Sequence, residues 1–415
     1  MLKLTFIKLF EVTLGIFACG FVLLPTLAPL FFILLLIVVV LGFIKKEVSF
    51  QFITLSSLFI FFYLCYLIGI YFTNDVKVGV FELEKKLSFV ILPLLLSLKF
   101  KKLVSLNFTY IGFIIGTFLV SIYGIIMALK CGIQSNHSLY CYFSSAISPI
   151  HHPSYLAAYI LFSIVIAFNG LRENIRFFSL NWIIPFTIFG IVLHIFLSSL
   201  AGILFLFITL IITLIIWVRK NLNNLFFYSS ILIFVILGYF ALNSAPSIKD
   251  DWKDSTSKTR EYFRNPSNFV TSRSYPMSSS EVRIVMWTVA CQVISKHPFG
   301  VGTGNTDEFL GKELKNLKQQ ELARHNFNPH NQFLQIAVEI GIFGLLVFFT
   351  IIFYGVYYSI KYRNWLLLLI IGNLFFNCLF ESMLQRQSGI IFYCFWICLL
   401  STYFFNNRIM KISKN

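Results

Sequence analysis

The chain has 415 residues; 58% are hydrophobic, 12% are charged, and the formal net charge is +16. That much apolar side chain exceeds what a soluble core can hide, so the composition excludes a soluble globular domain and indicates an all-α polytopic membrane protein. The basic residues fall in short clusters between apolar runs rather than in one block, which identifies them as topology signals and argues against a nucleic-acid partner.

Apolar runs long enough to span a bilayer recur about twelve times. The first half carries Leu9–Leu24, Ala28–Ile44, Phe52–Tyr71, Ser88–Leu98 (short), Phe108–Leu129 and Ser154–Phe168. The second carries Asn181–Phe196, Ala201–Trp217, Leu225–Leu242, Phe333–Tyr358, Trp365–Phe380 and Gly389–Phe405. Lys3 and Lys8 precede the first run without a small-residue cleavage site, so that helix is expected to stay as an anchor. Basic clusters at Lys45–Lys46, Lys99/Lys101/Lys102, Arg172/Arg176, Arg219–Lys220, Lys361/Arg363 and Arg408/Lys411/Lys414 alternate with weaker linkers. The positive-inside rule then places these clusters and both termini on the cytoplasmic side. Three regions are expected: spans over 1–242, one large outer loop over 243–332, and spans over 333–415.

Several linkers carry candidate features. Phe81, Leu83 and Leu87 against Glu82, Glu84, Lys85 and Lys86 predict a short amphipathic helix on the outer surface. Cys19, Cys65, Cys378, Cys394 and Cys398 lie in apolar runs as packing residues, whereas Cys131 and Cys141 share one outer linker and could pair. His151 and His152 invite a metal, but no carboxylate stands near them, and a helix start at His152-Pro153 is the simpler role. His194 is read as a packing residue. The outer loop opens with a Ser-, Thr- and charge-rich stretch expected to be irregular. Asp250, Asp251 and Asp254 sit there among lysines as a solvated cluster, so neither metal nor cofactor is expected.

From Glu281 the pattern turns helical: Val282, Val285, Met286, Val289 and Val293 recur at helical spacing, with Arg283 and Trp287 one turn apart on another face. His297-Pro298 ends that helix and GVGTGN reverses the chain; a phosphate cradle is the alternative use of such a turn. Phe309, Leu310, Leu314 and Leu317 predict a second amphipathic helix. The segment RHNFNPHNQFLQIAVEIGIFGLLVFF (Arg324–Phe349) then passes from polar to apolar almost without transition. It sets His330 and Asn331 at a helix mouth, with Glu339 more than two turns further in.

A neutral His has the pKa of a general base at ambient pH, and Arg binds phosphate oxygens bidentately while staying ionised. His330 is therefore the candidate base and Arg283 the first candidate cation. Arg273, Arg324 and Arg386 are supporting cations, and Asn331 and Glu339 complete the candidate substrate-binding set. Trp287, Tyr262, Tyr275 and Phe327 could stack on sugars or simply pack.

The run EVRIVMWTVACQVISKHPFGVGTGN (Glu281–Asn305), followed by Pro329-His330-Asn331, Leu334, Glu339, Gly341 and Gly344, resembles the O-antigen ligase and polymerase family of bacterial envelope glycosyltransferases. The resemblance implies an undecaprenyl-diphosphate-linked glycan as donor and a lipid A core or other saccharide as acceptor. It further implies inverting, metal-independent transfer at the periplasmic face of the inner membrane. Ligation is the favoured expectation, a polymerase using a second lipid-linked repeat the alternative, and a polysaccharide transporter or flippase the remoter one. The chain departs from the family at Ser198–Gly202, where Leu200 or Ala201 stands in place of an Arg thought to help bind the donor phosphates.

Overall fold

The computed structural model describes residues 5–135, 138–197, 202–209, 211 and 246–412, the side chains of 139, 246–252 and 407–412 excepted. The turn at Ser198–Ala201, the end of the span expected over Ala201–Trp217, the whole of Leu225–Leu242, and the side chains of Asp250 and Asp251 lie outside the described residues.

In chain order the helices are α1 (Phe6–Leu23), α2 (Ala28–Ile44), α3 (Thr54–Gly69), α4 (Val76–Lys86), α5 (Ser88–Leu96), α6 (Asn107–Gln134), α7 (Pro153–Arg172) and α8 (Leu180–Phe196). There follow α9 (Pro246–Arg264), α10 (Pro266–Thr271), α11 (Ser279–Lys296), α12 (Thr306–Asn316), α13 (Gln320–Arg324), α14 (Gln332–Lys361), α15 (Trp365–Cys378) and α16 (Gln387–Ile412). Among the described residues α1, α2, α3 with its continuation to Phe72, α6, α7, α14 and α16 are long and apolar enough to cross a bilayer. Helices α8 and α15 are shorter and apolar.

The run at Ser88–Leu98 does not cross by itself. Helix α5 has 9 residues, a length of about 14 Å, roughly half the hydrocarbon thickness. It continues α4 through Leu87, whose backbone is itself helical, and it ends where Leu98–Phe100 (β2) pairs antiparallel with Val48–Phe50 (β1).

That strand pair brings the Lys45–Lys46 linker beside the Lys99–Lys102 linker. Asn406 joins the same end by donating to Leu98 O at 2.7 Å. The opposite end gathers the weakly charged linkers. There His151 Nε2 meets Val22 O at 2.6 Å, Asn74 N donates to Asn305 Oδ1 at 3.0 Å, and Ser382 Oγ donates to Asn328 Oδ1 at 3.3 Å. Two of the six basic clusters thus lie together at one end, and the positive-inside rule expects that end to be cytoplasmic. Cysteines introduced at Ser255 and Gln320 should therefore react with an impermeant maleimide in spheroplasts, and ones at Lys46 and Lys361 only after permeabilisation. Labelling of Lys46 and Lys361 but not Ser255 would invert the topology.

Two apolar clusters hold the molecule. The larger joins the spans through rings such as Phe17, Phe21, Phe113, Phe392 and Trp396. Where α1 and α6 cross, a Cβ on Gly116 would stand 2.7 Å from Cys19 O, so glycine is what lets the two backbones approach. The smaller cluster is the core of the outer region: Phe269 and Val270 of α10, Val282, Val285, Met286, Val289 and Val293 of α11, Leu310 and Leu314 of α12, then Leu322 and Val338. Cys131 and Cys141 form a disulfide in their linker.

The stretch expected to be irregular is instead helical. Helix α9 lies against α11 largely through polar contacts, which leave no apolar period to read. Ser255 Oγ meets Ser280 Oγ at 2.8 Å, Lys258 pairs with Glu281 at 2.8 Å, and Asp254 accepts from Ser278 Oγ at 2.6 Å. Ser278 also begins α11 with a reciprocal cap, Glu281 N donating to its hydroxyl and Ser278 N to Glu281 Oε2.

Candidate active site

Helix α14 is two helices joined at a break. Gly341 has φ 68° and ψ −165°, so the Gln332–Ile340 portion ends there and a second helix begins at Ile342. A helix end leaves carbonyls without partners. The glycine-rich turn supplies them: Val301 N donates to Val338 O at 2.8 Å and Gly302 N to Glu339 O at 3.0 Å. Ile342 N returns the contact to Pro298 O at 3.0 Å. Gly302 has φ 97°, and a Cβ there would stand 2.8 Å from Phe72 O, so a side chain is excluded on both counts. The turn thus docks the broken helix, and its amides point at protein carbonyls rather than at a ligand. Thr303 N donates to Gly69 O at 3.1 Å and ties the turn to α3 as well.

Before the break, Ile336 and Ile340 face the span cluster while Val338 enters the outer cluster. The mouth of α14 therefore belongs to both regions. Asn331 caps it, its Oδ1 accepting from Phe333 N (3.0 Å) and Leu334 N (3.1 Å), and its Nδ2 donates to Leu379 O at 3.1 Å. Gln332, fully buried, accepts from Leu384 N at 2.6 Å. These bonds fasten the mouth to the 379–388 linker.

That linker brings His330 its partner. His330 Nδ1 lies 3.2 Å from Glu381 Oε2. A carboxylate only accepts, so Nδ1 carries a proton and Nε2 is the nitrogen left to face another group. Burial would raise the Glu381 pKa, but the hydrogen bond and charge of His330, followed by His152, hold it below the ordinary carboxylate value. Glu381 Oε1 accepts from Ser382 N at 3.1 Å. The His330 backbone has φ 47°, a left-handed conformation uncommon outside glycine, and its N–H donates to Asn328 Oδ1 at 2.8 Å.

His152 completes the neighbourhood. It caps α7, and burial lowers its pKa; Glu381 opposes that shift, while Arg386, His330 and Arg283 reinforce it. Those charges thus all act on one imidazole. Arg386 is exposed. Arg283 is half-buried, with a buried Nε that has no hydrogen-bond partner, as has Trp287 Nε1 one turn along α11.

The other candidates stand elsewhere. Arg273 pairs with Glu261 and, at 3.1 Å, with Glu281, and it stacks on Phe269. Arg324 pairs with Glu321 at 2.8 Å on the surface. Tyr262 packs in the outer cluster and accepts from Thr288 Oγ1 at 3.1 Å. Glu339 is buried in an ion pair: Lys86 Nζ lies 3.3 Å from Glu339 Oε1 and 2.8 Å from Glu82 Oε2, over the Tyr66 ring. Gln385 Nε2 donates to Glu339 Oε2 at 3.1 Å, so this pair also supports the linker that carries Glu381 and Arg386. Burial acts to lower the Lys86 pKa, but Glu339 and Glu82 more than offset it and hold the ammonium above its ordinary value. Among the described residues no group of three His, Cys, Asp or Glu side chains has the arrangement of a metal site.

Sequence reasoning placed Lys86 on a surface helix and His152 at a helix start. Lys86 lies 253 residues from Glu339, so no local pattern couples them. For His152 the signal was its pairing with His151 in an outer linker, on the same side as His330.

A protein of Haemophilus influenzae described as uncharacterized is 26% identical over 227 residues, which cover 50% of this chain and 54% of that protein. The chain thus matches only about half the length of that curated relative. The family model described as O-antigen ligase matches residues 185–349. Glu381 and Arg386 fall beyond the match. Residues 185–349, which carry Arg283, the glycine-rich turn, His330 and Glu339, are thus similar to the O-antigen ligase family.

Proposed function

We propose that the protein transfers a glycan from undecaprenyl diphosphate to a saccharide hydroxyl at the periplasmic face of the inner membrane, ligating O-antigen to lipid A core. The observation that carries this reading is the His330–Glu381 pair at the mouth of α14. The acceptor hydroxyl gives its proton to His330 Nε2 as its oxygen attacks the anomeric carbon. The bond from that carbon to the diphosphate oxygen breaks, and the electron pair leaves with the lipid diphosphate. A single displacement of this kind inverts the anomeric configuration. Glu381 holds the imidazole in its tautomer and stabilises the imidazolium that forms.

Charge on the departing diphosphate requires cations. Arg283 and Arg386 supply them, ahead of Arg273 and Arg324, which already hold carboxylates. Alanine at either Arg283 or Arg386 should lower transfer by about 10²-fold. Lysine should restore only part of it, keeping the charge but losing the planar fork. Wild-type rates for either alanine variant would remove that residue from the proposal.

The decisive experiment uses purified protein in lipid nanodiscs with a synthetic undecaprenyl-diphosphate oligosaccharide, in EDTA. One arm offers lipid A core as acceptor and the other a second molecule of the donor. An inverted product on the core supports ligation, and a lengthened lipid-linked glycan would reassign the same site to polymerisation. Transfer to neither acceptor would overturn the reading, and transfer restored only by a divalent metal would overturn its metal-independent form.

A further inference from the structure

Between α10 and α14 a row of rings runs across the outer region to the proposed base. Tyr275 and His325 have ring centroids 4.6 Å apart, His325 and Phe327 5.6 Å, and Phe327 and His330 6.2 Å. The far end is open: Tyr275 is 40% exposed and His325 is exposed, while Phe327 and His330 are partly buried. Among the described side chains of 253–331, the exposed large hydrophobics are Phe263, Tyr275 and Phe299. Phe299 stacks on Phe343 of the long apolar half of α14 and is an interfacial anchor. Tyr275 has no such neighbour; its ring leads to His330.

The surroundings of the row are polar. Ser272, Ser274 and Asn326 are exposed beside it, and the Asn328 carboxamide lies between Phe327 and His330 in the chain. Isolated rings set in a hydrogen-bonding rim do not suit an acyl chain, which needs continuous apolar surface. They suit a sugar, whose ring has an apolar C–H face and a hydroxyl edge.

We propose that Tyr275, His325 and Phe327 form a saccharide-stacking subsite that delivers a glycan to His330. The subsite rests on the glycan-transfer reading above. Its occupant is a sugar of the acceptor or of the donor glycan, since both present the same ring chemistry.

Steady-state transfer in nanodiscs separates the two sources. Tyr275→Ala, and Tyr275→Ala combined with His325→Ala, should raise KM for one saccharide about 3- to 10-fold with kcat held. Tyr275→Phe should behave as wild type, because the ring and not the hydroxyl stacks. A raised acceptor KM places the acceptor on the row, and a raised donor KM places the donor glycan there. Unchanged KM for both in the double variant would overturn the subsite. Phe327 packs on the outer cluster, so Phe327→Leu is the milder probe at that position. Saturation-transfer NMR with the lipid-free oligosaccharides of donor and acceptor tests the row independently of catalysis. Binding by wild type that is lost in the double variant would uphold the subsite even if no transfer occurs. Equal signals from both proteins, or none from wild type, would remove it.

Discussion

Replacing His330 by alanine should lower the rate of glycan transfer by about 10²- to 10⁴-fold, the range that general acid–base catalysis contributes. The loss should appear in kcat, because a group that takes a proton only as the acceptor attacks adds little to ground-state binding. Yield and thermal midpoint should stay close to wild type, since the imidazole is partly exposed and the Asn331 cap and Gln332 bond that fasten the mouth are untouched. Glu381→Gln should give a smaller loss: an amide oxygen can still accept from Nδ1–H, but the charge that stabilises the imidazolium is gone. A well-folded His330→Ala protein with wild-type kcat would rule the residue out as the base.

The second large effect is on stability. Lys86→Ala leaves Glu339 buried with no counter-charge, and breaking a buried pair in this way costs about 3–5 kcal/mol. Glu82 keeps Lys85 as a partner, so the unpaired charge is that of Glu339. Thermal unfolding in detergent should show a strongly lowered midpoint for Lys86→Ala. Lys86→Met combined with Glu339→Gln should recover most of it, because the double variant strands no charge. A Lys86→Ala midpoint close to wild type would mean that water reaches the pair. Transfer activity should fall in the single variant even where protein survives, since Glu339 also holds Gln385 and through it the linker of Glu381 and Arg386.

How far the sequence could be read follows from where each signal lives. The spans are local: an apolar run of sufficient length declares itself, and the basic linkers sort the two ends before any contact is known. His330, Asn331 and Arg283 are likewise visible, since each sits in a short motif on or beside one helix. The partners that give those residues their chemistry are not local. Glu381 stands 51 residues from His330; as an ionisable residue at a span mouth it is a candidate by default, but nothing in the sequence names its partner. Lys86 belongs by pattern to the polar face of α4, and only tertiary structure turns that face inward against Glu339. Helix α9 escaped because its contacts with α11 are hydroxyls and ion pairs, which leave no hydrophobic period. The fourth apolar run is too short to cross alone, and no apolar pattern joins it to α4, with which it connects the two ends of the molecule.

The break at Gly341 also divides α14 into a long apolar part and a short one. Apolar residues after the break run to Lys361 over about 30 Å of helix, the thickness of a hydrocarbon layer. The turns before it, from Gln332 to Ile340, add at most about 14 Å on the outer side. Were α14 to enter the bilayer at Gly341 rather than at His330, the imidazole would stand on a short pedestal. Under the proposed transfer, a polyprenyl carrier would then keep its diphosphate among the headgroups while the first sugar reaches up to the base. The acceptor need not descend into the bilayer to meet it.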